Sequence, residues 1–224
     1  MNVSEFIAAF RADLRDGVEG ELWSDADIVR YLNDAIQEAN ERAFLTEDRA
    51  TPAVCSVTLS AGVSTYNLHP SVIRIKRISY LGRPLDETSV EAMDYCESSN
   101  WESRTGEPRR YIFEQASGGS PARVRLWPAP TSAGSIALTV NRGALNKLTA
   151  TNGTAKPELP ERFHERLKDW VYRCAYLKQD ADAFDKSKAI EFEASFERSF
   201  GARPDANVQR KQRDKRPPLV RSSW

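Results

Sequence analysis

The chain has 224 residues, 40% hydrophobic and 29% charged, and its 32 basic and 32 acidic side chains give a formal net charge of zero. That length supports a hydrophobic core in one large domain or two small ones, and the composition excludes a disordered, collagen-like or disulfide-scaffold protein. No apolar run approaches the roughly 20 residues of a membrane helix and no basic-then-apolar leader opens the chain, so the expectation is a protein made in the cytoplasm, with no membrane partner.

The zero net charge hides a strong asymmetry. Residues 1–50 carry 5 basic and 12 acidic side chains, net −7; residues 51–150 carry 11 and 8, net +3. Residues 151–202 carry 9 and 10, net −1, and residues 203–224 carry 7 and 2, net +5. Opposite ends of opposite sign point to partner surfaces of opposite sign rather than to one continuous nucleic-acid footprint.

In chain order, the first element is helical by period. "VSEFIAAFRADL" aligns Val3, Phe6, Phe10 and Leu14, with Ser4 as the expected cap and Gly17 and Gly20 as the exit. In "WSDADIVRYLNDAIQEANERAF", Ser24 and Asp27 have capping-box spacing, and Ile28, Leu32, Ala35, Ile36, Ala39 and Ala43 form an apolar face. Near Thr51 the period changes from 3.6 to 2. "VCSVTL", "VIRIKRISYL", "RRYIFEQ", "RVRLWP" and "SIALTVNRG" are short strands between Gly, Ser, Pro and Asn clusters, with a short helix expected in "ETSVEAMDYCESSNW".

The helical period returns in "LPERFHERLKDWVYRCAYLK", which starts at Pro160 and stripes Phe163, Leu167, Trp170, Val171, Cys174 and Leu177. A last helix is lined by Phe184, Ala189, Phe192, Phe196 and Phe200, with Asp180 or Asp182 as its cap and Gly201 as its stop. The expected fold class is α+β. Residues 1–50 and 151–201 together form a four-helix bundle, 51–150 an inserted antiparallel β-sandwich or barrel-like domain, and 202–224 an extended basic arm.

Residues in reactive or ligand-binding patterns are scarce. Cys55, Cys96 and Cys174 lack C-x-x-C pairing and read as buried free thiols; His69 and His164 fit no ligand spacing and read as surface or capping residues. "QDADAFD" lacks the glycine and distal glutamate of a calcium loop, and no Walker, dinucleotide or G-x-S-x-G motif occurs. Asn152-Gly153 reads as a turn, and "RLWPAP" as a strand stopped by proline. Glu97, Glu102 and Glu107 sit in loop-like sequence and make no hydrolase pair. The expectation is no enzyme, no cofactor and no metal.

The features left over are the two charged ends. Arg210, Lys211, Arg213, Lys215 and Arg216 form a basic run, followed by Pro217, Pro218, Leu219, Val220 and Trp224. The segment holds too little apolar surface to offset an ordering cost of about 1–2 kcal/mol per residue, so alone it is expected to be disordered, either as a merely solvated terminus or as a segment that awaits a partner. A partner, where there is one, is a protein groove or, as the alternative, a nucleic acid held by the basic run with Trp224 stacked on a base.

In order, "WSDADIVRYLNDAIQEA", "YNLHPSVIRIKRISYLGRPLDETS", "GEPRRYIF", "VRLWPAP", "ELPERFHERLKDWVYRCAYLKQDADAFD" and "FERSFG" before a basic tail resemble the head-to-tail connector proteins of tailed bacteriophages, the tail-adaptor or tubular-tail gatekeeper class. The resemblance covers nearly the whole chain. It implies a structural virion protein of the neck, assembled as a ring, commonly of twelve copies, that docks on the portal protein. Such a ring receives the tail or nozzle protein and lets double-stranded DNA pass. By the same resemblance the basic carboxyl-terminal segment is the arm that embraces the portal. If Asp13, Asp16, Glu19 and Glu21 face the channel, they repel DNA phosphates and let the duplex slide.

Overall fold

A computed structural model describes residues 1–16, 22–97, 100–115, 119–179 and 184–204. The helices are α1 (Val3–Leu14), α2 (Asp25–Ala43), α3 (Pro52–Cys55), α4 (Val90–Cys96), α5 (Leu167–Tyr176) and α6 (Lys186–Phe200). The strands are β1 (Glu47–Asp48), β2 (Ser56–Leu59), β3 (Thr65–Asn67), β4 (Val72–Tyr80), β5 (Arg83–Pro84), β6 (Asp86–Glu87), β7 (Thr105–Gly106), β8 (Arg110–Glu114), β9 (Arg123–Trp127), β10 (Ala129–Pro130) and β11 (Gly134–Arg142). The class is α+β. The described residues fall into two compact units, Met1–Thr46 with Arg142–Arg203, and Glu47–Asn141 with Pro204.

The first unit is built from α1, α2, α5 and α6 around one core. Val3, Phe6 and Phe10 of α1 meet Ile28, Leu32, Ala35, Ile36 and Ala39 of α2, and Leu167, Trp170 and Val171 of α5. Each large side chain taken fully out of water contributes about 1.5–3 kcal/mol. The α5–α6 seam is aromatic: Trp170 lies 5.0 Å from Phe196, Phe196 4.5 Å from Phe200, and Phe192 stacks on Tyr176 at 5.8 Å. Such pairs add about 0.5–1.5 kcal/mol each beyond area burial. Phe184 and Leu177, expected on the stripes, are 51% and 38% exposed; they lie at the α5–α6 turn, where the periodic faces have run out.

The caps differ in detail from expectation. Asn2, not Ser4, caps α1: its side chain accepts from the Glu5 N–H while the Glu5 carboxylate accepts from the Asn2 N–H, both at 2.9 Å. Ser24 caps α2 as expected, accepting from the Asp27 N–H at 3.1 Å. Asp185 caps α6, accepting from the Lys188 N–H at 3.0 Å, because the helix starts later than its charge pattern suggests; Asp180 and Asp182 lie outside the described residues. From Pro160 the chain first makes a 3-10 turn at Glu161–Phe163 before α5 begins.

In the second unit one sheet runs β1-β11-β4-β5 with β2 also on β11, a second runs β3-β9-β8-β6, and β7 pairs β10. The sheets are mainly antiparallel, but β6–β8 and β7–β10 are parallel. Among the described residues no sheet closes on itself. The short helix expected near Val90 is present as α4, capped by Ser89. A small separate core gathers Met93, Trp101, Ile112 and Trp127, fixed by Trp127 Nε1–H donating to the Trp101 carbonyl at 2.9 Å.

Candidate functional site: the root of the carboxyl-terminal segment

Helix α6 stops at Gly201, whose φ of 89° lies where only glycine is unstrained, and whose N–H still donates to the Glu197 carbonyl at 2.7 Å. What the chain does next is set by α2. Arg42 lies in the last turn of α2 with its guanidinium 5.1 Å from the ring centres of both Trp170 and Phe196. It donates twice to one Glu38 oxygen, at 2.9 and 2.7 Å, and once to the Gly201 carbonyl at 3.2 Å. The second Glu38 oxygen accepts from Arg203 at 2.9 Å.

The Glu38 and Arg42 side chains are 7% and 3% exposed, while Arg203 is 70% exposed. A buried carboxylate is tolerated when its oxygens are paired, and here each oxygen has its own guanidinium. Arginine suits the inner position because its planar fork serves two acceptors and stacks on rings at once, which a lysine cannot. The arrangement holds Gly201, Ala202 and Arg203 against the end of α2, so the basic segment begins from a fixed point. The i, i+4 spacing of Glu38 and Arg42 is visible in the sequence; the arrival of Arg203 is not.

The expected site residues are distributed unevenly. Arg210, Lys211, Arg213, Lys215, Arg216, Pro217, Pro218, Leu219, Val220 and Trp224 lie outside the described residues, as do Glu19 and Glu21. Asp13 is half exposed and accepts from the Tyr172 hydroxyl, with Lys168 at 3.6 Å. Asp16 is different. Its side chain is 1% exposed, paired with Arg11 at 2.8 Å and accepting from the Leu22 N–H at 3.3 Å, so its charge is neutralised inside the fold rather than offered to solvent.

Other groups serve structure. Burial, then the neighbouring Asp13 carboxylate, pushes the Tyr172 phenol well above its ordinary range, and burial beside Glu87 does the same to Tyr111. His164, expected at the surface or in a cap, is 1% exposed, with Nε2 donating to the Leu159 carbonyl at 2.9 Å. His69 bonds Ser71 in a turn at 2.8 Å. Of the cysteines only Cys55 is buried; Cys174 is intermediate and Cys96 exposed. Among the described residues no cluster of His, Cys, Asp or Glu has metal-binding geometry, and no helix is long and apolar enough to cross a membrane.

The described chain thus reaches Arg203 tied to Glu38 of the helical unit. The model of the SU10 adaptor protein family matches residues 1–222. The chain belongs to that family. The adaptor is thus a structural protein of the phage virion, of the class that joins head and tail and works in contact with other head or tail proteins. No curated protein matches the adaptor.

Proposed function

We propose that the adaptor forms a ring on the portal protein at the neck of a tailed phage, joins head to tail, receives the tail or nozzle protein, and leaves a channel through which double-stranded DNA passes. Its role is structural rather than enzymatic, and the carboxyl-terminal segment is the portal-docking arm. The observation that carries this is the mount formed by Arg42, Glu38 and Arg203: a buried ion pair is spent on fixing where the segment departs. An arm with a fixed origin loses less freedom on docking, and many arms on one ring raise the effective concentration of each. Fully extended, 20 residues at about 3.3 Å each reach roughly 65 Å, enough to cross onto a neighbouring protein. Asp13, with Glu19 and Glu21, is proposed to face the channel; a neck map with all three on the outer rim removes that part.

Mixing the adaptor with its portal protein and measuring mass by light scattering tests the reading. Assembly onto the portal that disappears on deleting residues 203–224 supports it. Steeply salt-dependent DNA binding without portal binding overturns it in favour of a nucleic-acid-binding accessory protein.

A further inference from the structure

The second unit contains an unfinished sheet edge. Strand β6 covers β8 only at Arg110 and Tyr111, after which the chain turns away at Thr88 into α4. The Tyr111 carbonyl faces that side, accepting from the Thr88 N–H at 2.9 Å, so the two-residue period of a strand turns the backbone groups of Phe113 to the same edge. On its other side β8 pairs with β9 through Glu114. No strand among the described residues covers the edge beyond Tyr111.

Beside this edge runs a groove of about 240 Å³ between β8 and the start of α4, lined among others by Glu87, Val90, Glu91, Ile112, Phe113 and Glu114. Its apolar floor is Ile112 with Val90 and Phe113, and its rim is acidic. Glu114 is paired with Arg125 at 2.7 Å, but Glu87 and Glu91 have no ion pair among the described residues. An open strand edge flanked by Glu91 and by Glu87, which among the described residues accepts from the Tyr111 hydroxyl at 3.5 Å rather than from a cation, suits an extended, basic peptide: main-chain bonds hold it, alternate side chains enter the groove, and its cations answer the rim.

One such segment is encoded in this chain. Residues 205–224 carry six basic and two acidic side chains, net +4, and the run from Leu219 to Trp224 follows two prolines and is free of proline itself. We propose that the edge of β8 takes the carboxyl-terminal segment of this chain as an added strand, with Leu219 over the groove floor and Arg216 and Arg221 answering Glu87 and Glu91. Such a resting place keeps a sticky basic segment off other surfaces until a better partner is present. The inference is independent of which protein the segment later docks on.

The test uses a fluorescent peptide of residues 205–224 titrated into full-length protein whose own segment carries R210E, K211E, R213E, K215E and R216E, so that it does not compete. Saturable binding is expected, weakened at least tenfold when E87K and E91K are added, with the lysine groove preferring the charge-reversed peptide. No saturable binding, or binding unchanged by the groove substitutions, overturns the proposal. Amide exchange at Phe113 provides a measurement that alters nothing in the groove. It is expected to be at least tenfold slower in the natural chain than in the chain with the reversed segment; equal rates overturn the proposal.

Discussion

Glu38 and Arg203 stand 165 residues apart in the chain and meet at 2.9 Å at the end of α2. The pair is lopsided, because the carboxylate is buried and the guanidinium exposed, with Arg42 holding the inner oxygen. Removing the two ends therefore has unequal effects. Glu38→Ala leaves the buried Arg42 cation without its carboxylate, and urea unfolding is expected to show a loss of about 3 kcal/mol. Arg203→Ala removes an exposed partner and is expected to cost under about 1 kcal/mol while freeing the root of the arm. Equal losses would show that the mount is not layered in this way.

The Tyr172 hydroxyl joins α5 to Asp13 of α1, and Tyr111 is likewise buried beside Glu87. Both phenols are raised above their ordinary value of 10.0, chiefly by burial. Above about pH 10 the unfolded chain sheds these protons while the folded chain keeps them, so stability is full below that pH and falls as pH rises beyond it. The drop in urea midpoint between pH 9 and pH 11 is expected to be smaller in Tyr172→Phe than in the natural chain. At pH 8 the same variant loses about 1 kcal/mol, the net value of one hydrogen bond.

The loop that leads back into the helical unit is tied by one carboxylate. Glu158 accepts from Arg142 at 2.8 Å and from the Leu145 and Asn146 N–H groups at 3.1 Å each. Burial works against its charge, but those bonds outweigh it and hold its pKa below the ordinary 4.5. For a lowered carboxylate the stabilisation is present above the unfolded value and is lost as pH falls through the folded one. Glu158→Gln is expected to be less stable than the natural chain at pH 7, with the gap closing as both are titrated from pH 5 to pH 3. A gap that stays constant across that range would mean the charge is not what matters there.

How much of this is legible in the sequence depends on how far apart the partners lie. The stripe Val3, Phe6, Phe10 and the face Ile28, Leu32, Ala35, Ile36, Ala39 are local patterns at helical spacing, and all are buried as their period dictates. Caps are harder, because Ser4 and Asn2 are equally good candidates until the first helical residue is known. The parallel pairing of Asp86–Glu87 with Arg110–Tyr111 depends on a crossover through α4, which alternation does not encode. Sequence places Asp16 in a run of exposed-looking acids, yet Arg11, one helical turn and a bend away, takes it inside. The surroundings of His164 and the Glu38–Arg203 pair are hidden for the same reason: each is made with residues more than a hundred positions away, which the local pattern does not mention.

The arm itself gives the most direct experiment on function. If Leu219 and Trp224 serve docking rather than folding, the core that the described residues form from Val3 to Phe200 stands without them. Replacing both with alanine is therefore expected to leave the protein folded, with the circular dichroism of its helical unit unchanged. At a portal surface, losing one well-buried anchor of about 1.5 kcal/mol weakens each arm roughly tenfold, and the effect multiplies when several arms of a ring must hold together. Co-sedimentation with the portal protein should fall from near-complete to slight at moderate salt. Salt should sharpen the contrast, since Arg210, Lys211, Arg213, Lys215 and Arg216 then supply less of the attraction. If the double variant co-sediments as well as the natural chain at every salt concentration, the segment is not the docking arm, and attachment resides in the folded units.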